Sequence, residues 1–500
     1  MKPGPEHLDA DYVVVGSGAA GATVAKTLSE AGYSVVLLEE GGPTSDTPFD
    51  ADVWSTMRRL CRDNGSQMIT GKALIPLLQG RCVGGSTVIN SGICWRVPED
   101  VHAEWIRTDP ALGQTISYRD LNDHWEMIER DLRVSRVPEN VLGGNNVLMR
   151  RGAEALGYRG HVIQRNVSGC QGSARCLQGC PTGSKQSVAL TYIPDAVRAG
   201  AKLMPRHRVE RIECKGNVAE AVSGTCVDAD FRPTGRFFAR AYRGVILAAS
   251  AIQTPQLLQA SGMGGSGPVG RHFMCHPGVS IVGLYEKPVD MWFGATQGFE
   301  VDEFRNHGIK IESLSLPPEL LVLRLPGIGS KLQKYLENSH NMTLWGAQVR
   351  AKAQGTVSRG WAGTRVRYSP NQEDMAMFRL GLKVSAELCF AAGAHTILPG
   401  LYGFPEQVHE MSTMVRLLDG LTDVRQMNMI ATHLFGTAKM GSDPRFSVVD
   451  TRFHSHTVSR LWIADSSTFP SNLGVNPQHT IMAMARQASH HILDASVKSR

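Results

Sequence analysis

Apolar residues fall into short blocks separated by glycine turns. Asp11–Val15 reads Asp-Tyr-Val-Val-Val, a continuous run that suits a buried parallel strand. A turn follows, Gly16-Ser17-Gly18-Ala19-Ala20-Gly21. Ala22 to Ala31 then carries Val24, Ala25 and Leu28 on one helical face, with Gly32 at the end. Tyr33–Leu38 is a second apolar run, closed by Glu39. This spacing predicts one βαβ unit. Residues 71–98 are glycine-rich and irregular. Trp105, Leu121, Trp125, Ile128 and Leu132 recur at roughly helical spacing, and Thr191–Ala199 predicts a short helix. Strand-like patches fill 201–248 and end in Gly244–Ala249. Residues 277–430 read as a separate, less regular lobe with strands near 309–315 and 342–350. The last 70 residues return to a strand at Leu461–Ala464 and a long helix at His479–Leu493.

The chain has 500 residues, a length that favours two domains over one core. Its formal net charge is +6, without the concentrated basic charge a nucleic-acid binder needs. No stretch approaches 18 uninterrupted apolar residues, so no transmembrane helix is expected. Met1 to Asp11 is polar with no secretory core, which points to the cytoplasm. Export would then need an escort subunit, carrying the chain to the periplasm.

Three glycines divide the work in Gly16-x-Gly18-x-x-Gly21. The first makes the tight turn, the second lets backbone reach a pyrophosphate, and the third lets helix and strand pack closely. The pyrophosphate would sit at the positive end of the helix. Glu39, 18 residues past Gly21, can accept hydrogen bonds from a ribose, and Glu40 is the neighbouring alternative. The motif alone does not separate FAD from NAD.

Further segments carry a resemblance. Gly80-Arg81-Cys82-Val83-Gly84-Gly85-Ser86-Thr87-Val88-Ile89-Asn90-Ser91-Gly92 resembles the first signature of the glucose–methanol–choline (GMC) flavin oxidoreductases. Gly244 to Leu258, with Ser250, Thr254 and Pro255, resembles the second. Val269-Gly270-Arg271, closing on His276-Pro277, resembles the segment after it. His433-Leu434-Phe435-Gly436-Thr437 and Leu461–Asp465 with Asn476-Pro477 and Thr480 resemble the C-terminal active-site segments.

The resemblance implies an α/β, GMC-type two-domain fold. A discontinuous Rossmann-like FAD-binding domain would take 1–276, with the flavin-covering loop 71–98 and the cysteine segment 168–187, and resume at 431–500. A sheet-and-helix substrate-binding domain would take 277–430. It also implies FAD as cofactor. Gly16, Gly18, Gly21 and Glu39 would hold its ADP half, and Val209 would meet the adenine through its backbone. Gly84, Gly85, Ser86, Asn90 and Gly92 would run along the pyrophosphate and isoalloxazine. Asp465, Asn476 and Pro477 would complete the site.

Oxidising an alcohol by hydride transfer needs a base for the hydroxyl proton and a donor that steadies the developing alkoxide. Imidazole suits the first task. By resemblance His433 and Asn476 occupy the catalytic positions, with hydride delivered to flavin N5. Asn cannot act as a base, so the proton falls to His433, and Asn476 would donate its amide N–H to the oxygen. Asn476 could equally cap the helix before Pro477. His479 is the rival histidine.

Cys170-x5-Cys176-x3-Cys180-Pro181 clusters three of ten cysteines. Thiolates at such spacing are what an iron–sulfur cluster needs, and the run is similar to the [3Fe-4S] segment of FAD-dependent sugar dehydrogenases in this family. Structural thiols are the plain alternative, since long-chain alcohol oxidases carry a comparable segment before Lys-x-Ser, as at Lys185-x-Ser187. Zinc would need a fourth ligand.

The expected activity is FAD-dependent oxidation of an alcohol CH–OH group in a sugar, polyol or other small molecule. Oxygen or an electron-carrier protein would be the acceptor. A long-chain alcohol oxidase using oxygen is one alternative, with Leu316–Leu325 and Met411–Leu421 as a candidate apolar lining or as ordinary core. An FAD-bearing enzyme like the hydroxynitrile lyases is another, and a flavin-binding module without turnover is a third.

Overall fold

The computed structural model describes residues 5–44, 52–265, 267–360 and 363–498. Strand β1 (Glu6–Val15) leads through the glycine turn into helix α1 (Ala19–Glu30) and strand β2 (Val35–Leu38). The βαβ unit predicted from the apolar runs is therefore present. The strand starts five residues early, because Glu6–Ala10 pairs with Phe237–Ala241 although its side chains alternate between buried and exposed. The helix starts three residues early, because its first turn is built from Ala19, Ala20 and Gly21, which carry no periodic signal.

Seven strands form the first sheet. β1 lies between β2 and Pro233–Leu247, parallel to both. Lys202–Met204 extends the sheet beyond β2 in parallel. On the other side Pro233–Leu247, Val218–Val227 and His207–Lys215 make an antiparallel meander. Leu461–Ile463 returns from far along the chain to pair in parallel with Val245–Leu247. Val13, Val14, Leu37 and Ile246 are sealed under α1 and the helices Tyr118–Asp131 and Gln478–Lys498. Trp105 and Trp125 lie fully buried in the same core, as the helical spacing over 102–133 anticipated.

A second sheet of seven strands carries the other lobe. Its order runs Thr396–Leu398, Met274–Leu284, Met342–Val349, Ile309–Ser313, Phe299–Val301 and Gly160–Val162, with Ile430–Phe435 also on Met274–Leu284. Neighbouring strands are antiparallel throughout. The strands near 309–315 and 342–350 lie where the sequence placed them. The sheet also draws on residues before 277, since Gly160–Val162 forms its edge and the helix Gly144–Leu156 packs on its face. The same face carries a 20-residue helix, Gln372–Ala391, started by a capping box between Asn371 and Asp374.

Along Ile309–Ser313 the side chains alternate. Ile309 and Ile311 enter the core under Gln372–Ala391, so Lys310 and Glu312 point to the opposite face. Glu300 lies directly opposite Glu312, and His161 directly opposite Glu300, so these four share one face. That face is covered by the first lobe and becomes the floor of the site below.

Among the described residues no helix is long and apolar enough to cross a membrane.

Candidate active site

The glycine turn separates three steric jobs. A Cβ on Gly21 would lie 1.8 Å from the Gly16 carbonyl oxygen, and one on Gly16 would lie 2.5 Å from the Ala248 carbonyl oxygen, so both are required by packing. Gly16 also has φ +96°. A Cβ on Gly18 meets nothing within 4 Å. The space left at Gly18 opens onto the α1 N-terminus, where no side chain caps the helix. An anionic group fits that setting.

Glu39 is buried at the end of β2. Its carboxylate accepts from Ser17 N (3.0 Å), Ser17 Oγ (2.7 Å) and Gly41 N (2.8 Å). Burial pushes its pKa up, against these hydrogen bonds. Glu40 is committed elsewhere, to Arg62 at 2.6 Å. Burial opposes its charge, but Arg62 and Arg81 outweigh burial and hold its carboxyl below the usual range. Of the two acids only Glu39 faces the glycine turn.

The loop of the first signature docks on that turn. Gly84 N donates to Ser17 Oγ at 3.1 Å, and Gly84 and Gly85 have φ +92° and +54°. Ser86 faces outward, its Oγ accepting from Gly80 N. Asn90 Nδ2 donates to Gln478 Oε1 at 2.5 Å, tying the loop to the start of the C-terminal helix. Gly92 has φ +71°, and a Cβ there would meet Asn166 Oδ1 at 2.7 Å. Val209 lies half-buried on His207–Lys215, paired with Gly224. Asp465 is buried and accepts from Ser250 N (2.9 Å), Thr254 Oγ1 (2.6 Å) and Ser467 N (2.8 Å), which joins the second signature to the C-terminal segment. Burial raises its pKa as well.

The C-terminal helix Gln478–Lys498 starts just after Asn476-Pro477. Gln478 Nε2, both ring nitrogens of His479 and Thr480 Oγ1 are buried there without a hydrogen-bond partner. Burial holds His479 down at about 4. Unpaired buried polar atoms are costly, and so many together at one helix start fit a polar ligand such as the flavin. His479 is therefore not placed as a second base by any contact to His433.

His433 lies half-buried on Ile430–Phe435, beside His276 on the adjacent strand. Their Nδ1 atoms are 3.1 Å apart with rings nearly perpendicular. One nitrogen of the two must carry the hydrogen. His276 Nε2 also lies 2.9 Å from Gly474 N, whose N–H is shared with Asn472 Oδ1 at 3.0 Å. Burial, then the neighbouring His433, keeps His276 well below the usual histidine range. Burial and the charge of Lys310 hold His433 down at about 3.

Lys310 is the residue the sequence reading missed. Its Nζ is fully buried and donates to Asn476 Oδ1 (2.6 Å), Glu300 Oε2 (2.8 Å) and Glu312 Oε1 (2.5 Å). Glu300 also accepts from Trp95 Nε1 at 2.8 Å and sits 2.9 Å from His161 Nε2. Glu312 accepts from Gln297. A lysine between two isoleucines reads as the solvent side of a strand. Nothing local announces that another lobe covers it.

The three clustered cysteines share two buried cations, Arg165 beside Cys170 and Cys176 and Lys185 beside Cys176 and Cys180, but make different contacts. Cys170 packs against Val137, Val141, Leu142 and Ala295. Cys176 is buried with its Sγ 2.8 Å from Arg165 Nη2. Cys180 sits in a turn, its Sγ accepting from Lys185 N. Among the described residues the one group of three potential metal ligands with atoms within 4.8 Å of each other is Glu6, His207 and Cys226, on three strands of the first sheet. The expectation of an iron–sulfur cluster gains no support. Instead, Cys176 and Lys185 buttress the loop of the first signature: Arg165, bonded to Cys176, donates from Nε to Ser91 O, and Lys185 Nζ donates to Val88, Asn90 and Cys176 carbonyls. Against burial, Arg165 and Lys185 lower Cys176 to about 7.

The apolar stretches of the second lobe are largely core. Leu316 and Leu321 pack with Met342 and Leu344, and Met414, Leu418 and Leu421 join the main cluster.

Comparison with known proteins extends this picture. The family model described as GMC oxidoreductase matches in two parts, its N-terminal portion over residues 10–278 and its C-terminal portion over 352–485. An uncharacterised GMC-type oxidoreductase of Mycobacterium tuberculosis is 36% identical over 96% of this chain and 75% of its own length. A long-chain-alcohol oxidase of Arabidopsis thaliana is 26% identical over 99% of this chain and 70% of its own length. The solved structure of Aspergillus oryzae formate oxidase, described for its FAD modification, superposes with a TM-score of 0.77 at 15% identity. That match covers 99% of this chain and 100% of the other.

Proposed function

This chain belongs to the GMC oxidoreductases, flavoenzymes that act on alcohol-type donors, and from that premise we propose that it oxidises the CH–OH group of a small alcohol with His433 as base. The carrying observation is that His276 meets Nδ1 of His433 at 3.1 Å while Lys310, from the second lobe, holds the Asn476 oxygen at 2.6 Å.

The residues fit FAD. Gly18 leaves open space at an uncapped helix start, Glu39 offers a buried carboxylate beside it, and unpaired polar atoms at Gln478, His479 and Thr480 await a polar edge. Gly16, Gly18, Gly21 and Glu39 would hold the ADP half, with Val209 at the adenine. The loop Gly84, Gly85, Ser86, Asn90 and Gly92, together with Asp465 and Pro477, would hold the rest. When bound, FAD supplies the hydride acceptor at N5.

The protein's own part is proton handling and orientation. With Nδ1 of His433 turned to His276, Nε2 is left for the substrate. For Nε2 to take a proton, the hydrogen must sit on His433 Nδ1 and be accepted by His276 Nδ1. His276 then carries its own hydrogen on Nε2, donated to the Asn472 side chain, and in that tautomer the Gly474 N–H rests on Asn472 Oδ1 alone. Asn476 has its oxygen committed to Lys310, so its amide N–H is the group available to the substrate oxygen.

The acceptor that reoxidises the enzyme is oxygen or a carrier protein. A long-chain alcohol with oxygen as acceptor is the second reading, favoured by the name of the Arabidopsis relative. Anaerobic mixing with a panel of primary alcohols, polyols and long-chain alcohols tests both. Bleaching of the flavin absorbance by a panel member supports oxidation, and its identity chooses between the readings. Substrate consumption with the flavin left oxidised would instead indicate a lyase.

A further inference from the structure

The buried ammonium at Lys310 has three hydrogens and three acceptors. Glu300, Glu312 and Asn476 consume all of them, so no N–H remains for a substrate. Lysine has no acceptor, so the Asn476 atom it meets must be the carbonyl oxygen, and the orientation of that amide is set by chemistry. Among the described residues Asn476 Nδ2 has no hydrogen-bond partner. The two carboxylates share the Lys310 ammonium with Asn476, and Trp95 contributes a cation–π face at 5.2 Å. The second lobe thus reaches through Lys310 into the catalytic pair.

We propose that Lys310 is a positioning residue that acts through Asn476 and His433. It locks the Asn476 amide with its N–H toward the substrate oxygen, and its charge disfavours a second proton on the His433 ring. The inference rests on the reading of His433 and Asn476 as the catalytic pair.

The charged and titratable groups about His433 are few. His276 faces it from Met274–Leu284 and Lys310 from Ile309–Ser313. Glu300, Glu312 and His161 lie behind Lys310, and Arg350 adds positive charge near His276. Desolvation alone would lower His433, and Lys310 lowers it further.

Lys310→Met is the direct test. Because it strands two buried carboxylates, Lys310→Met/Glu312→Gln is made alongside, leaving Glu300 with Trp95 and His161. Two readouts are taken on the holoenzyme. The first is steady-state turnover in the wild-type and Asn476→Ala backgrounds. Lys310→Met should lower kcat about tenfold or more in the first and less than about threefold in the second, because the amide it orients is gone. Equal losses in both backgrounds would overturn the positioning role.

The second readout is the titration of the His433 ring followed by NMR, which needs no substrate. Its midpoint should rise by about one unit or more in both Lys310 variants. An unmoved midpoint would overturn the electrostatic role. If no alcohol bleaches the flavin yet the midpoint still moves, the reading of the activity fails and the link from Lys310 to His433 stands.

Discussion

Gly18 and Gly85 touch: a Cβ built on Gly85 would come within 3.0 Å of Gly18 Cα, while one built on Gly18 meets nothing within 4 Å. The glycine turn and the signature loop thus meet through two residues without side chains, beside an uncapped helix end.

Gly18 has φ −68°, so a side chain there is not strained by the backbone. Gly18→Val should fold and lose its cofactor. The expected result is at least about a tenfold fall in bound FAD with the apoprotein melting temperature within about 3 °C of wild type. Gly21→Ala should fail differently, because its Cβ would strike the Gly16 carbonyl. Flavin content and thermal melts of the two apoproteins separate the cases. Equal flavin retention in Gly18→Val would show that the open space is not the cofactor path.

His433 should stay neutral across the working range. Burial and Lys310 place its protonation at about 3, and a lowered base is unprotonated above its folded pKa. The profile of kcat/KM should therefore show no acid limb between pH 5 and 8. An inflection near 6 to 7 would mean that an unperturbed imidazole governs catalysis.

Cys176 makes stability depend on pH. Its thiol is lowered from 9.0 to about 7 against burial, by Arg165 and Lys185. A lowered acid contributes stability that is complete above the unfolded value and is lost as pH falls through the folded one. Stability should thus rise from pH 7 to 9 by up to about 2 kcal/mol. Lys185, lowered to about 8 by burial, adds a slope of the same sign, because the unfolded state binds more protons. Cys176→Ser should flatten the rise measured by denaturant unfolding. An unchanged slope would place the proton elsewhere. The purified protein should also show flavin bands without a broad brown background, and iron well below one equivalent. Stoichiometric iron would restore the cluster expectation for Cys170, Cys176 and Cys180.

The βαβ start, the strands over 309–315 and 342–350 and the helical run through Trp125 were legible because each is a local pattern facing one core. Gln372–Ala391 was not, since it is apolar on several faces; the Asn371–Asp374 capping box was its one local mark. The glycine turn was legible because glycine is used where side chains cannot fit, as Gly16 and Gly21 demonstrate. Lys310 was illegible for a different reason. Its strand alternates as any half-solvated strand does, and its burial comes from the lobe that docks on it, through Trp95 and Asn476, both far from it in the chain. His276 lay inside a recognised segment, but its tie to His433 exists only across the strand pair Cys275–Leu434.

The proposed chemistry turns on His433 as the base. Single-turnover anaerobic reduction of the flavin by an alcohol that bleaches the wild type, repeated with His433→Ala, tests it most directly. Reduction should slow by at least about a hundredfold, with FAD still bound. Reduction of the His433→Ala enzyme at close to the wild-type rate would contradict it.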